Sequence, residues 1–139
     1  MPTAQDALRD HFRAGYTVRP YVETVNANPK ASDRPESGFV SMEFLGGSEE
    51  MVSFGSPGNN RYRRQGFCRA HVYLPAGTSP LDAESAAVDV AAVFRAARIP
   101  IDGTRTIRIY GVDPAQFGPA EGRFFRATID FEYWYDTYS

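Results

Sequence analysis

The stretch FFRATIDFEYWYDTY, from Phe124 to Tyr138, decides the fold. Phe125, Ala127, Ile129, Phe131, Tyr133 and Tyr135 fall on one side of an extended chain. Arg126, Thr128, Asp130, Glu132 and Asp136 fall on the other, and only Trp134 breaks the alternation. A period of two over so long a run predicts a half-buried strand. A strand with one apolar face needs neighbours that share that face and something apolar to cover it.

Upstream, DPAQFGPAEG (113–122) predicts a loop, and Thr104 to Val112 a strand with Ile107 and Ile109 on one face and Arg108 and Tyr110 on the other. The cover for the sheet comes from the segment after Ser79. Ser79 can cap, Pro80 suits the first helical position, and Asp82 and Glu84 suit the first turn. Ala83, Ala87, Val90, Ala91, Phe94 and Ala97 then recur at helical spacing, with Arg95 and Arg98 in the last turn and Pro100 as the stop.

Earlier still, Phe67 to Leu74 alternates as a strand, and GSPGNNRYRRQG (55–66) predicts an exposed arm. Gly38 to Leu45 and Met51 to Phe54 flank Gly46-Gly47 as a β-hairpin would. Asn26 to Ser37 has no apolar period and predicts a long loop. Thr17 to Val25 predicts a strand that Pro20 confines to a sheet edge. Thr3 caps a first helix that runs to Gly15, with Asp6 in its first turn. The expected fold is therefore a single α+β domain over residues 1–139, in the order α-β-β-β-β-α-β-β. It has a largely antiparallel sheet, both helices packed on one face, and exposed loops near 26–37, 55–66 and 113–122.

Composition narrows the class of protein. With 139 residues, 42% hydrophobic and 23% charged, the chain has the make-up of one ordinary globular core. No apolar run reaches the ~18 residues of a membrane span, and the N-terminus lacks the apolar core of a secretory signal. A net charge of -2 argues against an autonomous nucleic-acid binder, which gains affinity by neutralising phosphates. Fourteen of the fifteen basic residues are arginine, Lys30 being the exception; GC-rich coding and the use of a five-donor fork at protein joints both account for this.

The search for catalytic chemistry returns little. Cys68 is in phase with Ala70, Val72 and Leu74, which marks a small buried hydrophobe, and His71 faces the opposite way on the same strand. His11 reads as a structural histidine of the first helix, and two histidines 60 positions apart make no metal cluster. Gly55-Ser56-Pro57-Gly58 lacks the lysine and following helix of a phosphate loop. Asp130 and Glu132 share a strand face, as solvated carboxylates commonly do, and Asp82, Glu84 and Asp89 read as a wet helix face. No catalytic residue, cofactor or metal is expected.

Two features stand above this background. Arg61, Tyr62, Arg63 and Arg64 form a candidate partner-docking arm, directed at protein or at phosphate. Phe124 and Trp134 lie on the supposedly wet face of the last strand and are candidate interface residues.

A short N-terminal helix, a strand entering an Asn/Pro loop (Val25, Asn26, Pro29), a long strand-arm-strand through Arg64-Gln65-Gly66, a capped alanine-rich helix, and a last strand of the form Trp/Phe-x-x-x-Ile-x-Phe-x-Tyr (Phe125 to Tyr133) span nearly the whole chain. Together they resemble the tail-terminator proteins of long-tailed bacteriophages. The resemblance implies a virion structural protein of the tail or neck, assembled in the host cytoplasm, with no enzymatic activity. It implies a homo-oligomer, a hexameric ring, that caps the tail tube, meets the tail tube protein and a head-side connector protein, and lets duplex DNA pass without specific binding. No membrane partner is implied. Two alternatives share these residues: another neck component such as a stopper or head-completion protein, and a small α+β enzyme or ligand-binding domain. The latter would show a deep pocket of convergent polar groups near His71 or Asp130.

Overall fold

The computed structural model describes residues 3–22, 37–53, 55, 58–119 and 124–138. Its elements are α1 (Ala4–Gly15), β1 (Phe39–Met51), β2 (Arg61–Pro75), α2 (Pro80–Phe94), β3 (Arg98–Pro100), β4 (Thr106–Arg108), β5 (Gln116–Pro119) and β6 (Phe124–Tyr138). The strands form one six-stranded sheet in the order β1-β2-β6-β4-β3, with β5 also paired to β6, and every ladder between them is antiparallel. β6 runs beside β2 along its whole length, from Pro75↔Phe124 to Arg61↔Tyr138.

The α+β class, the antiparallel sheet and both helix starts are as the sequence predicts. The Thr3 hydroxyl accepts the Asp6 N–H at 3.1 Å, and the Ser79 hydroxyl accepts the Asp82 N–H at 3.3 Å. The element order differs, being α-β-β-α-β-β-β-β.

The expected hairpin over 38–54 is instead one strand, β1. Gly46-Gly47 makes a bulge, with the register slipping between Leu45 and Gly47. Continuing along β2 sets Glu49 opposite Arg64 and Glu50 opposite Arg63, pairings that a turn at Gly46 would forfeit. The second half of the expected 55–66 loop, Arg61 to Gly66, is thereby drawn into β2. Among the described residues, the expected strand at 17–25 contributes only a bridge from Tyr21 to Val40, since Pro20 has no N–H to donate. Its last residues and the 26–37 loop, apart from Ser37, lie outside the described residues. The expected loop at 113–122 carries β5, which supplies backbone partners to the free side of β6 from Phe125 to Thr128. α2 ends at Phe94, so Arg95 becomes its cap and Arg98 opens β3.

Both helices lie on the side of the sheet that the alternation in β6 marks. Ala83, Ala86, Ala87, Val90, Ala91 and Phe94 are buried, and their small side chains let α2 approach the strands closely. Phe94 stacks on Phe131 with centroids 4.5 Å apart and meets Phe12 of α1 edge-on at 5.2 Å. Leu8, Phe12, Ile107, Ile109 and Ile129 complete the same cluster. Each large side chain so buried contributes about 1.5–3 kcal/mol. The opposite face of the sheet carries no helix among the described residues.

Candidate functional site

The arginine arm is the far end of β2, which pairs with the end of β1 on one side and the end of β6 on the other. Arg61 and Arg63 point to the open face and Arg64 to the helix side, as strand alternation requires. Each meets a carboxylate. Arg63 donates from Nε and Nη2 to Asp136 Oδ1 and Oδ2 at 3.0 and 3.3 Å, a bidentate pair. Arg61 Nε lies 3.8 Å from the same carboxylate, and Arg64 Nε donates to Glu49 at 3.1 Å. The hydrogen bond to Asp136 raises the Arg63 pKa, and bonds to Tyr135 and then Glu49 raise that of Arg64. Tyr62 sits half-buried between Met51 and Thr137 in the register. The arm is thus a β-extension in which Arg63 and Arg64 are paired from within the chain, while Arg61 shares Asp136 at ion-pair distance and its buried Nε has no hydrogen-bond partner among the described residues. Its chemistry suits shape-specific protein contact better than phosphate contact.

The two aromatics expected to lack cover are partly covered by their own chain. Trp134 lies under the Arg63 guanidinium, 4.1 Å from its ring centroid, with Arg108 at 5.6 Å and the Tyr110 ring at 6.0 Å. Phe124 meets Phe39 edge-on at 5.2 Å, and Phe39 stacks on Tyr73 at 4.5 Å. Phe124 therefore anchors a local aromatic cluster, whereas Trp134 borders open surface.

That open surface is a groove of about 660 Å³ between β2–β6 and the segment that follows β4. Phe67, Tyr110 and Trp134 supply its aromatic wall, and Asp113, Asp130 and Glu132 its carboxylates. Phe67 is 48% exposed and Tyr110 73% exposed, high values for aromatic side chains. Leu45 extends the patch. A second, shallower groove of about 410 Å³ lies on the helix side, between α2 and β5, with Val88, Arg95 and Phe117 at its margin. Leu81, about two helical turns before Val88 on the same helix, is 76% exposed. Asp113 borders both grooves.

Sequence reasoning did not single out Phe67, Tyr110, Leu81, Val88 or Phe117. A signal was available for two of them. Leu81 and Val88 fall seven apart and outside the alanine stripe that marks the buried face of α2. Phe67 and Tyr110 sit on faces otherwise set by arginine, histidine and carboxylates, and only the fold brings them together.

Cys68, His11 and His71 are each engaged within the fold. Cys68 is buried, and desolvation pushes its thiol pKa up, away from the thiolate form. His11 Nε2 lies 2.8 Å from the Val93 carbonyl and donates to it, tying α1 to α2. His71 is buried on the open face, with Nε2 3.1 Å from Glu43 and Nδ1 2.9 Å from the Thr128 hydroxyl. Burial lowers its pKa, although the Glu43 hydrogen bond opposes this, and so favours the neutral ring. A carboxylate can only accept, so Nε2–H donates to Glu43 and Nδ1 accepts from Thr128. His71 does not line the groove, and Asp130, which does, is held by Arg69 at 3.2 Å. Among the described residues no three His, Cys, Asp or Glu side chains converge to hold a metal, and no helix is long and apolar enough to cross a membrane.

No family model and no curated protein sequence matches the chain. Among solved structures, one whose name states no activity or partner superposes with a TM-score of 0.60 at 17% identity, over 99% of this chain and 99% of its own. A chain from the virion of a native gene transfer agent particle aligns with a TM-score of 0.49 at 16% identity, over 98% of this chain and 95% of that one. The first likeness shows a fold shared from end to end and says nothing of activity. The second is too distant to carry a functional argument.

Proposed function

We propose that this protein is a virion structural component, a tail terminator whose subunits close into a ring, cap the tail tube and present the surface to which the filled head attaches. The observation that carries this reading is the presence of exposed apolar side chains on two separate sides of one subunit. Leu45, Phe67 and Tyr110 lie on the open sheet face, and Leu81, Val88 and Phe117 on the helix side. A closed ring joins one patch to a different patch of the next copy, so its subunit needs two such surfaces. The resemblance of the sequence to tail terminators, which runs along nearly the whole chain, supports the same reading.

The arm formed by the ends of β1, β2 and β6 docks the tube or the head-side connector. Its three arginines meet two carboxylates, Asp136 and Glu49, within the subunit, so the ring presents little free positive charge to passing DNA. Purified protein should leave duplex DNA unretarded at moderate salt.

Electron microscopy of tails assembled without the protein tests the role. Over-long tubes are the expected result. Tubes of normal length that fail to join heads would assign the chain to a connector instead. The triple change Arg61→Ala, Arg63→Ala, Arg64→Ala should leave a folded protein that no longer docks. Loss of solubility instead would make the arm a purely structural element.

A further inference from the structure

We infer that the outer edge of β1, from Leu45 to Met51, takes an added strand: an extended segment of a partner protein that carries two consecutive basic residues. The inference goes beyond the ring reading above and does not depend on it.

Backbone hydrogen bonds locate the edge. β1 lies at one margin of the sheet, and β2 occupies one of its sides. On the other side the Val40 N–H donates to the Pro20 carbonyl at 2.9 Å, and the Val40 carbonyl accepts from the Val22 N–H at 2.8 Å, so the start of the strand is closed. Beyond the bulge the Val52 N–H donates to the Arg61 carbonyl at 2.8 Å and therefore faces β2. Counting back in steps of two, Ser48 and Glu50 also face β2, while Gly47, Glu49 and Met51 turn N–H and C=O outward. None of these outward groups has a backbone partner among the described residues, and residues 45–51 are all exposed. An edge left in this state is a template for another strand. The opposite margin is not. The Ala97 carbonyl accepts from Ile109, so in β3 Arg98 and Pro100 face outward, a charge and a residue without an N–H.

Charge selects the occupant. β1 holds Glu43, Glu49 and Glu50 and no basic residue. Glu49 and Glu50 are adjacent and point to opposite faces of the sheet. Glu49 accepts from Arg64 at 3.1 Å, whereas Arg63, which stands opposite Glu50, gives its Nε and Nη2 to Asp136. An incoming strand meets both carboxylates with two consecutive basic residues, one on each face. The edges of a second copy fit less well. Antiparallel pairing of two β1 edges, with Gly47 opposite Met51, sets Glu49 against its own counterpart, and like charges directly opposite destabilise a ladder. The end of β6 from Tyr135 to Tyr138 brings Asp136 and no basic residue, and β3 is blunted by Pro100. Gly46 and Gly47 carry no side chain to hold a foreign backbone away.

Peptide binding tests the site. The probe is a capped synthetic peptide of alternating threonine and valine with lysine and arginine at its centre. Calorimetry should show that it binds the wild-type protein. Hydrogen exchange should then slow at the amides of Gly47, Glu49 and Met51, whereas those of Ser48 and Glu50, already in the ladder, should change little. The same peptide with glutamates at its centre should bind about tenfold more weakly. Glu49→Gln/Glu50→Gln and Met51→Pro should each weaken binding of the basic peptide by about tenfold, the first by removing charge and the second by removing an outward N–H. Circular dichroism checks that both variants are folded. A basic peptide N-methylated along its pairing edge should not bind. The inference is overturned if the basic peptide fails to bind at up to about 1 mM. It is equally overturned if the N-methylated or acidic peptide binds as tightly, if both variants bind like the wild type, or if protection falls on other amides. Each of these results leaves the ring reading standing, because that reading concerns contacts between copies.

Discussion

Near its N-terminal end β6 sets Ala127, Ile129 and Phe131 against the two helices; near its C-terminal end the same strand sets Asp136 between Arg61 and Arg63. The neighbouring strands change in step. β2 passes from Cys68, Ala70 and Val72 in the core to Arg61, Arg63 and Arg64 in the arm, and β1 from Val40 and Met42 to Glu49 and Glu50. Under the helices the strands are held by burial, which is indifferent to salt. In the arm burial continues on one face only, at Tyr133 and Tyr135, and the other face is held by the backbone ladder and cross-strand ion pairs, which hold register but stabilise little at an exposed surface. One set of strands thus serves as a rigid scaffold at one end and a presenting surface at the other.

The largest effect should come from the buried end. Phe131→Ala removes the ring stacked on Phe94 beneath α2 and should cost about 3–5 kcal/mol in urea unfolding. A cost under about 1 kcal/mol would mean that the helices do not rest on this face.

Where the two ends join, Gly47→Ala should cost about 1–3 kcal/mol. A Cβ there would run into the backbone oxygen of Gln65, and backbone cannot step aside as a side-chain tip can. The effect separates a packed bulge from a flexible turn, since a turn at Gly46-Gly47 would accept alanine.

The arm itself should respond less. Asp136→Ala removes the acceptor shared by Arg61 and Arg63 and should cost about 1 kcal/mol, with the loss shrinking as salt rises. Hydrogen exchange should show the amides of 62–66 and 133–137 opening before those of 70–74 and 127–131. Uniform protection along β6 would remove the distinction between the two ends.

The same division decides what the sequence discloses. Where burial sets the structure, period and spacing reveal it: the inward face of β6, the alanine stripe of α2 and both helix caps are legible residue by residue. Where pairing between distant segments sets it, they do not. Nothing local tells that Gly46-Gly47 is a bulge, because the reason lies in Gln65 and Gly66 across the ladder. GSPGNNRYRRQG has the composition of a loop, yet Arg61 to Gly66 extend because Glu49, Glu50 and Asp136 await them. The arginine arm was visible as a cluster, but its compensation was not. The groove was less visible still, since Phe67, Tyr110, Asp113 and Glu132 come from three separated segments.

One polar residue at the buried end provides the subtlest test. His71 lies on the open face between Glu43 and Thr128, with Arg69 and Arg126 as nearby cations and the Tyr73 ring 6.0 Å away. Desolvation is the largest influence on its pKa and lowers it, so the folded protein holds the ring neutral where the unfolded chain would begin to protonate it. Below the ordinary histidine value of about 6.5 the unfolded state binds more protons than the folded one. Stability is therefore complete above that pH and declines as pH falls toward the folded-state value. Urea midpoints at mildly acidic and mildly alkaline pH should differ in the wild type and differ less in His71→Gln, which keeps hydrogen-bonding capacity but cannot titrate there. Comparing the differences removes whatever constant cost the substitution carries. An equal difference in both proteins would place the acid sensitivity elsewhere, and a wild-type difference that collapses at high salt would make the screened cations Arg69 and Arg126, and not burial, its main cause.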